Sequence, residues 1–427
     1  MMKPGGASMK TESGGDFDVV IVGARVAGSA AAIMLARAGV RVLLLDKSSF
    51  PSDTISTHIV LAGGAAVLAR MGALEHLEKA GGFRFARMRT TGPGFDFSSD
   101  LRRDGDDLRG ICLGRERMDA VMVDLARSFD LVTLCTSFRV TDLIVEDGAI
   151  GGVRGEGSDG TREFRAPLVI GADGMRSTVA RIARERLGAF SRVDTPCARV
   201  YYYAYYEGVR ADRLGDELVT EFEASPGSGN LVCRCEDGLV VAAAAFDANE
   251  MRSFRAAPAA NLKRQLDGSL AVGRMLEGGM ISGKVRSSGM LLNTYCDPVA
   301  NGALLLGDSG LHVDPLFGQG HSMALISAEI ACEMAPRWLS SSRGASIDAE
   351  TMKEFTTRRD AALMPHFKAS ERASRELMLS AAAMAAYRAA SREQWAADEM
   401  VRFAQMATAK FPSFRFARLM AEHARAA

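Results

Sequence analysis

In the stretch DVVIVGARVAGSAAA, which begins at Asp18, Gly23 and Gly28 stand between a short apolar run and a run of small residues. Asp46 ends the next apolar run, VRVLLLD, 23 residues beyond Gly23. These residue types at this spacing suit a dinucleotide. A glycine at a strand end permits a tight turn, the helix start behind it offers free amides and the positive end of its dipole to phosphate, and a carboxylate on the next strand accepts from ribose hydroxyls. Ala24 within the turn and Lys47 beside the carboxylate complete this set of cofactor-binding candidates. Arg25 stands where such a turn ordinarily has its middle glycine. A side chain there obstructs backbone approach, while its guanidinium can point into the cleft as a useful cation, so Arg25 is also a catalytic candidate.

Two later stretches repeat the style of strand, glycine loop and helix. LVIGADGMRSTVAR carries Asp173 before a basic helix start, and ALLLGDSGLHVDPLFGQGHSMAL carries Gly307 and Asp308, then Pro315, then Gly318, Gln319 and Gly320 opening a helix. In this order the three motifs resemble the FAD-dependent aromatic hydroxylases of the p-hydroxybenzoate hydroxylase type, whose relatives include the geranylgeranyl reductases and the flavin halogenases. The resemblance covers residues 17 to 345 and is weakest across the middle of the chain. It implies that Gly23 and Gly28 hold the FAD pyrophosphate, Asp46 the adenosine ribose and Asp308 the ribityl chain. Asp173 would serve FAD and a transient NAD(P)H, Arg115 in GRERMDAVM would reach the FAD, and the loop from Pro315 to Gly320 would lie beside the isoalloxazine. Only Trp338 and Trp395 are present, so the WxWxIP stretch of the flavin halogenases is missing.

The loop FPSDTISTH places Asp53, Thr54, Ser56, Thr57 and His58 where related enzymes pass near the flavin. His58 is the histidine with the strongest claim to act as acid, base or substrate ligand, with His312 beside it in standing; His76, His321, His366 and His423 have weaker claims. The run RVYYYAYYE alternates two faces, which puts Arg199, Tyr201, Tyr203 and Tyr205 on one side and Val200, Tyr202 and Tyr206 on the other. Tyr203 and Tyr205 are the candidates for contact with a substrate ring, although core packing also explains aromatic strands.

The elements that must position these residues are legible as an α/β (α+β mixed) chain. A Rossmann-like FAD-binding domain is expected at 17–84 with 111–185 and 290–345. It is interleaved with an antiparallel-sheet substrate domain at 85–110 with 186–289, in which the glycine- and charge-rich 83–110 segment reads as an excursion. Residues 1–16 read as a disordered tail and 346–427 as a helical, Met-rich region able to pack on the fold or cover a pocket. The 427 residues are 48% apolar and 24% charged, with 52 basic and 52 acidic side chains, so nothing selects for nucleic acid. Seven scattered cysteines without a CxxC pair argue against a disulfide scaffold or zinc site, and no apolar run reaches the length of a membrane span. A cytoplasmic enzyme follows.

The first expectation is therefore an FAD-dependent monooxygenase that uses NAD(P)H and O2 to oxygenate an electron-rich small molecule through a flavin C4a-hydroperoxide. The alternative within the same fold is a reductase of a lipid-like or isoprenoid double bond. A flavin-binding scaffold without turnover is the third possibility, and the complete flavin loop speaks against it.

Overall fold

The computed structural model describes residues 17–52, 54, 56, 58–102, 105–225, 227–341 and 349–425. The expected tail at 1–16, and Asp53 and Thr57 of the FPSDTISTH loop, lie outside them. The chain is a mixed α/β fold built on two large sheets. The first has six strands in the order Val299–Ala300, Ala303–Leu305, Leu168–Gly171, Val19–Val22, Val42–Leu45 and Val132–Cys135, all parallel except the short first one. Its central strands are VVIV, VLLL and LVIG, buried on both faces, which is the composition a parallel sheet needs when both sides are covered.

One face packs on the helices Val26–Arg37, Arg115–Arg127 and Gly320–Ser341 through Val19, Ile21, Val42 and Leu44. The small residues Ala27, Ala30 and Ala31 of the first helix let it lie close to the sheet. The other face, with Val20, Val22, Leu43 and Leu45, is covered by the helix Thr178–Leu187 and by a three-stranded sheet of Arg139–Glu146, Ala149–Gly157 and Gly160–Arg165.

The second sheet has seven strands, ordered Met280–Ser287, Arg199–Glu207, Val240–Asp247, Gly229–Arg234, Glu217–Phe222, Arg87–Gly92 and Phe95–Asp100. The expected antiparallel pattern holds at every junction but one: Glu217–Phe222 runs parallel to Arg87–Gly92, because those two strands come from separated parts of the chain and no hairpin joins them. The supposed excursion at 83–110 thus supplies two strands of this sheet, in which Phe95 and Phe97 turn to the core with Asp96 between them exposed, and a third, Phe83–Phe85, to a small separate sheet with Ile59–Val60 and Gly110–Cys112.

The tyrosine-rich strand shows its two faces plainly. Val200, Tyr202, Ala204 and Tyr206 pack on the helices Met251–Arg255, Pro258–Gly268 and Val272–Leu276, whereas Tyr203 and Tyr205 face a core shared with the C-terminal helices Ala381–Arg392 and Gln394–Ala404. Those two helices lie against Phe95–Asp100, so the C-terminal region closes one side of the sheet. No helix among the described residues is long and apolar enough to cross a membrane.

Candidate active site

Parallel register brings the three glycine motifs to one edge. Val22 pairs with both Leu45 and Gly171, and Gly171 pairs with Leu305, so the residues that follow, Gly23, Asp46, Asp173 and Gly307, leave the same end of the sheet side by side. Ligands of open α/β sheets bind outside the carboxyl ends of the strands. The turn at Gly23 needs glycine twice over: its φ is +104°, and a Cβ there would sit 2.3 Å from the Ala172 carbonyl oxygen. A Cβ on Gly28 would sit 1.7 Å from the Gly23 carbonyl oxygen. Asp46 holds the turn together, accepting at 2.8 Å from the backbone N–H of Ala24 and at 2.8 Å from that of Ser48, while Lys47 is exposed.

Arg25 does not stand free in the cleft. Its guanidinium pairs with Asp119 of the helix Arg115–Arg127 and donates at 3.1 Å to the Ser52 hydroxyl. Arg115 donates to both oxygens of the same carboxylate at 2.9 Å, and one Asp119 thus serves two arginines in a position with no solvent exposure. Arg115 also reaches His321 Nε2 at 2.9 Å, and Nε2 lies 3.2 Å from the Ser56 hydroxyl. The other ring nitrogen, Nδ1, lies 3.1 Å from the Ile59 carbonyl and must donate to it, so Nε2 is the acceptor and the ring is neutral. Burial, and after it the Arg115 charge, push the His321 pKa well below the ordinary histidine value. This histidine, given only a weak claim from sequence, is thereby placed at the start of the helix Gly320–Ser341, between the nucleotide edge and the loop that precedes it.

Asp173 lies within the helix cap of Thr178–Leu187: its Oδ2 accepts from Thr178 N–H at 2.6 Å and its Oδ1 from the Ser309 hydroxyl at 3.3 Å. Burial raises its pKa, and the hydrogen bonds from Ser177 and the backbone at Thr178 oppose that rise. Gly307 and Asp308 form a short 3-10 turn, with Gly307 packed against Ala27 and Ala324 of two helices. A second 3-10 turn, Pro315–Phe317, leads into Gly318; Gln319 behind it is buried and accepts from Ser370 at 3.0 Å.

Beyond that loop a cavity opens between the seven-stranded sheet and the C-terminal helices. Ile59, Leu61, Met88, Phe97, Leu218 and Leu231 line it, with Leu316, Phe317 and Gly318 at the loop and Tyr387, Met400 and Val401 from the helices. Its hydroxyls belong to Thr90, Thr220 and Tyr387, and the two threonines lie 3.0 Å apart. The C-terminal region, left open in sequence between packing and covering, does both. Tyr203 and Tyr205 do not line this cavity. They enclose His58, which is 1% exposed, stacks on Tyr205 at 5.1 Å and meets Tyr203 edge-on at 5.3 Å. Among the tyrosines of that strand it is Tyr201 that faces open space, in a second cavity beside Pro315 and Leu316. His312 is buried, with Nδ1 2.6 Å from the Leu292 carbonyl.

The nucleotide edge fits FAD. The helix start at Val26 has no capping side chain and no acid in its first turn, and the start at Gly320 likewise has no acid, so both offer amide donors to negative charge. A Cβ built at Gly174, Gly318 or Gly320 would meet nothing within 4 Å, which leaves room beside each.

Residues 16–202 match the FAD binding domain family. Over 348 residues the chain is 29% identical to digeranylgeranylglycerophospholipid reductase 2 of Methanothermobacter thermautotrophicus, which spans 80% of this chain and 83% of that one. Over 178 residues it is 33% identical to 6-methylpretetramide 4-monooxygenase of Streptomyces rimosus, covering 40% of this chain and 41% of the other. The solved structure of flavin-dependent brominase Bmp2 superposes with a TM-score of 0.75 at 16% identity, over 96% of this chain and all of that one, a likeness of fold.

Proposed function

The chain is a flavin-dependent oxidoreductase with an FAD binding domain, and on that premise we propose that it reduces a carbon–carbon double bond of an elongated, uncharged, lipid-like molecule. The observation that carries this reading is the cavity wall, whose described residues include no Asp, Glu, Lys, Arg or His side chain. A wall of that kind holds a chain by buried apolar area, about 25 cal/mol per Å², and offers only three hydroxyls and no cationic side chain to a carboxylate or phenolate, whose burial there would be unfavourable. The similarity to the reductase, which runs through 80% of the chain, supports the same choice over the oxygenase similarity at 40%.

Bound FAD supplies the two-electron hydride chemistry, with NAD(P)H as the proposed source of the electrons. The chain's own residues hold and shield it. Gly23, Ala24 and Gly28 admit the diphosphate, Asp46 accepts from the ribose, and Asp173, Gly307 and Asp308 flank the path toward the loop. The amides at Gly318, Gln319 and Gly320, with Arg115 behind the neutral His321, favour negative charge on the reduced cofactor. Leu316 and Phe317 close the loop end of the cavity and exclude water from the reacting carbon.

Oxygenation with O2 is the second reading, favoured by the 33% identity to a monooxygenase. A single anaerobic turnover separates them. Protein carrying reduced flavin is mixed with geranylgeraniol without oxygen. Reoxidation of the flavin with a product heavier by two hydrogens is the expected result. No reoxidation until oxygen is admitted, with a product heavier by one oxygen atom, overturns the reductase reading and establishes the oxygenase.

A further inference from the structure

The second cavity lies between the seven-stranded sheet and the Pro315–Phe317 turn. It shares Thr220, Phe222, Leu231 and Leu316 with the first, so the two adjoin along the loop. Tyr201 lines it, and the Tyr201 hydroxyl donates to Asp314 Oδ1. Asp314 is 1% exposed and is fixed from several sides: Oδ1 accepts from Leu316 N–H at 2.9 Å, and its own N–H donates to Asn293 Oδ1 at 2.9 Å. Its Oδ2 has no hydrogen-bond partner among the described residues.

An ionised carboxylate with one oxygen buried and unpartnered is disfavoured, whereas a neutral carboxyl is tolerated and can donate. Burial pushes the Asp314 carboxyl above its ordinary range, against the opposing effects of Tyr201, Leu316 N–H, Cys197 and Arg199. With the proton on Asp314, the Tyr201 oxygen becomes the acceptor and its own O–H is released toward the cavity. The acid that lines the same cavity, Glu221, is already committed to the Ser269 hydroxyl and to the N–H groups of Leu270, Ala271 and Val272. Tyr387, on the wall of the first cavity, stands among Phe95, Phe97 and Phe222. Tyr201 has a carboxyl at its oxygen.

We propose that Tyr201, backed by Asp314, is the acid that protonates the substrate; this rests on the reductase reading. In the reduction of a double bond one carbon takes a hydride with its electron pair from the reduced flavin, and its neighbour takes a proton. That second C–H bond forms as the Tyr201 O–H bond breaks, the Asp314 carboxyl proton moves to the phenolate oxygen, and Asp314 regains a proton from solvent before the next turnover. Tyr201 is the catalytic residue and Asp314 the positioning residue that resupplies it.

The test uses the same anaerobic turnover with geranylgeraniol across a pH series. Tyr201→Phe, which keeps the ring, is expected to slow flavin reoxidation by on the order of 100-fold at unchanged FAD content. The wild-type rate is expected to fall as pH rises through the Asp314 titration, and Asp314→Asn to abolish that limb of the profile. In flavin-free protein the infrared carbonyl band of a protonated carboxyl is expected above the ordinary carboxylate pH range and is lost in Asp314→Asn. A Tyr201→Phe rate within twofold of wild type, or no such band, overturns the assignment while wild-type reduction leaves the reductase reading standing. Failure of the wild type to reduce the olefin removes that reading and the acid assignment together.

Discussion

The nucleotide edge and the cavity are made by different rules. At the edge, each candidate contact belongs to a short stretch that is nearly sufficient by itself: a buried strand, a glycine, a helix start. Parallel register then sets those stretches side by side. The cavity has no such stretch. Its wall draws Ile59 from a two-residue strand and Leu61 from the cap of the helix that follows, Met88 and Phe97 from one end of the large sheet, Leu316 to Gly318 from the loop at Pro315, and Met400 and Val401 from the C-terminal helices. The edge therefore tolerates little change at single residues. The cavity is a surface of apolar side chains in which size matters more than identity.

The largest effect should fall on the edge. Gly28→Ala puts a methyl group 1.7 Å from the Gly23 carbonyl oxygen, and since backbone must move to relieve it, FAD content measured by absorbance should drop by more than about tenfold. Retention of full flavin in this variant would mean that the turn does not carry the diphosphate, and the contrast would lose its basis.

Leu231→Trp tests the other side. It fills the shared wall of the two cavities, so FAD content should stay at the wild-type level while KM for geranylgeraniol rises by roughly tenfold. An equal loss of flavin would show the two regions to be one cooperative unit.

The smallest effect sharpens the junction between them. His321 is buried and neutral, with its folded pKa well below the ordinary value. Below about pH 6.5 the unfolded chain takes up a proton there that the folded chain refuses, so stability falls as pH drops from about 6.5 toward the folded pKa, by at most about 1.4 kcal/mol per pH unit, and is flat above. Burial lowers His366 as well, to about 4, so thermal melts of flavin-free His321→Gln should show a shallower slope than wild type, with the His366 share left; an unchanged slope would place the titration elsewhere.

Much of the edge was legible. Gly23, Gly28, Asp46, Asp173 and Asp308 sit in local patterns whose chemistry follows from strand, turn and dipole. Arg25 was legible as an anomaly but its partner was not, because Asp119 lies 94 residues away on another helix. The pairing of Arg115 with His321 spans 206 residues, and that of Tyr201 with Asp314 spans 113. No periodicity connects such positions. Tyr203 and Tyr205 drew attention as aromatic residues on the right face, yet it is the register of their strand against the loop at Pro315 that gives Tyr201 the cavity and leaves the other two around His58.

The sequence by itself determined the sheet style, the glycine turns and the flavin-type edge, since these depend on backbone conformation and on residues within one turn of each other. Only the tertiary structure decided that 83–110 supplies two strands of the second sheet and one of a smaller sheet, that one junction of the second sheet is parallel, that the Met-rich helices wall the cavity, and which tyrosine meets a buried acid. Those outcomes depend on which apolar faces cover one another, and that is a property of the packed chain as a whole.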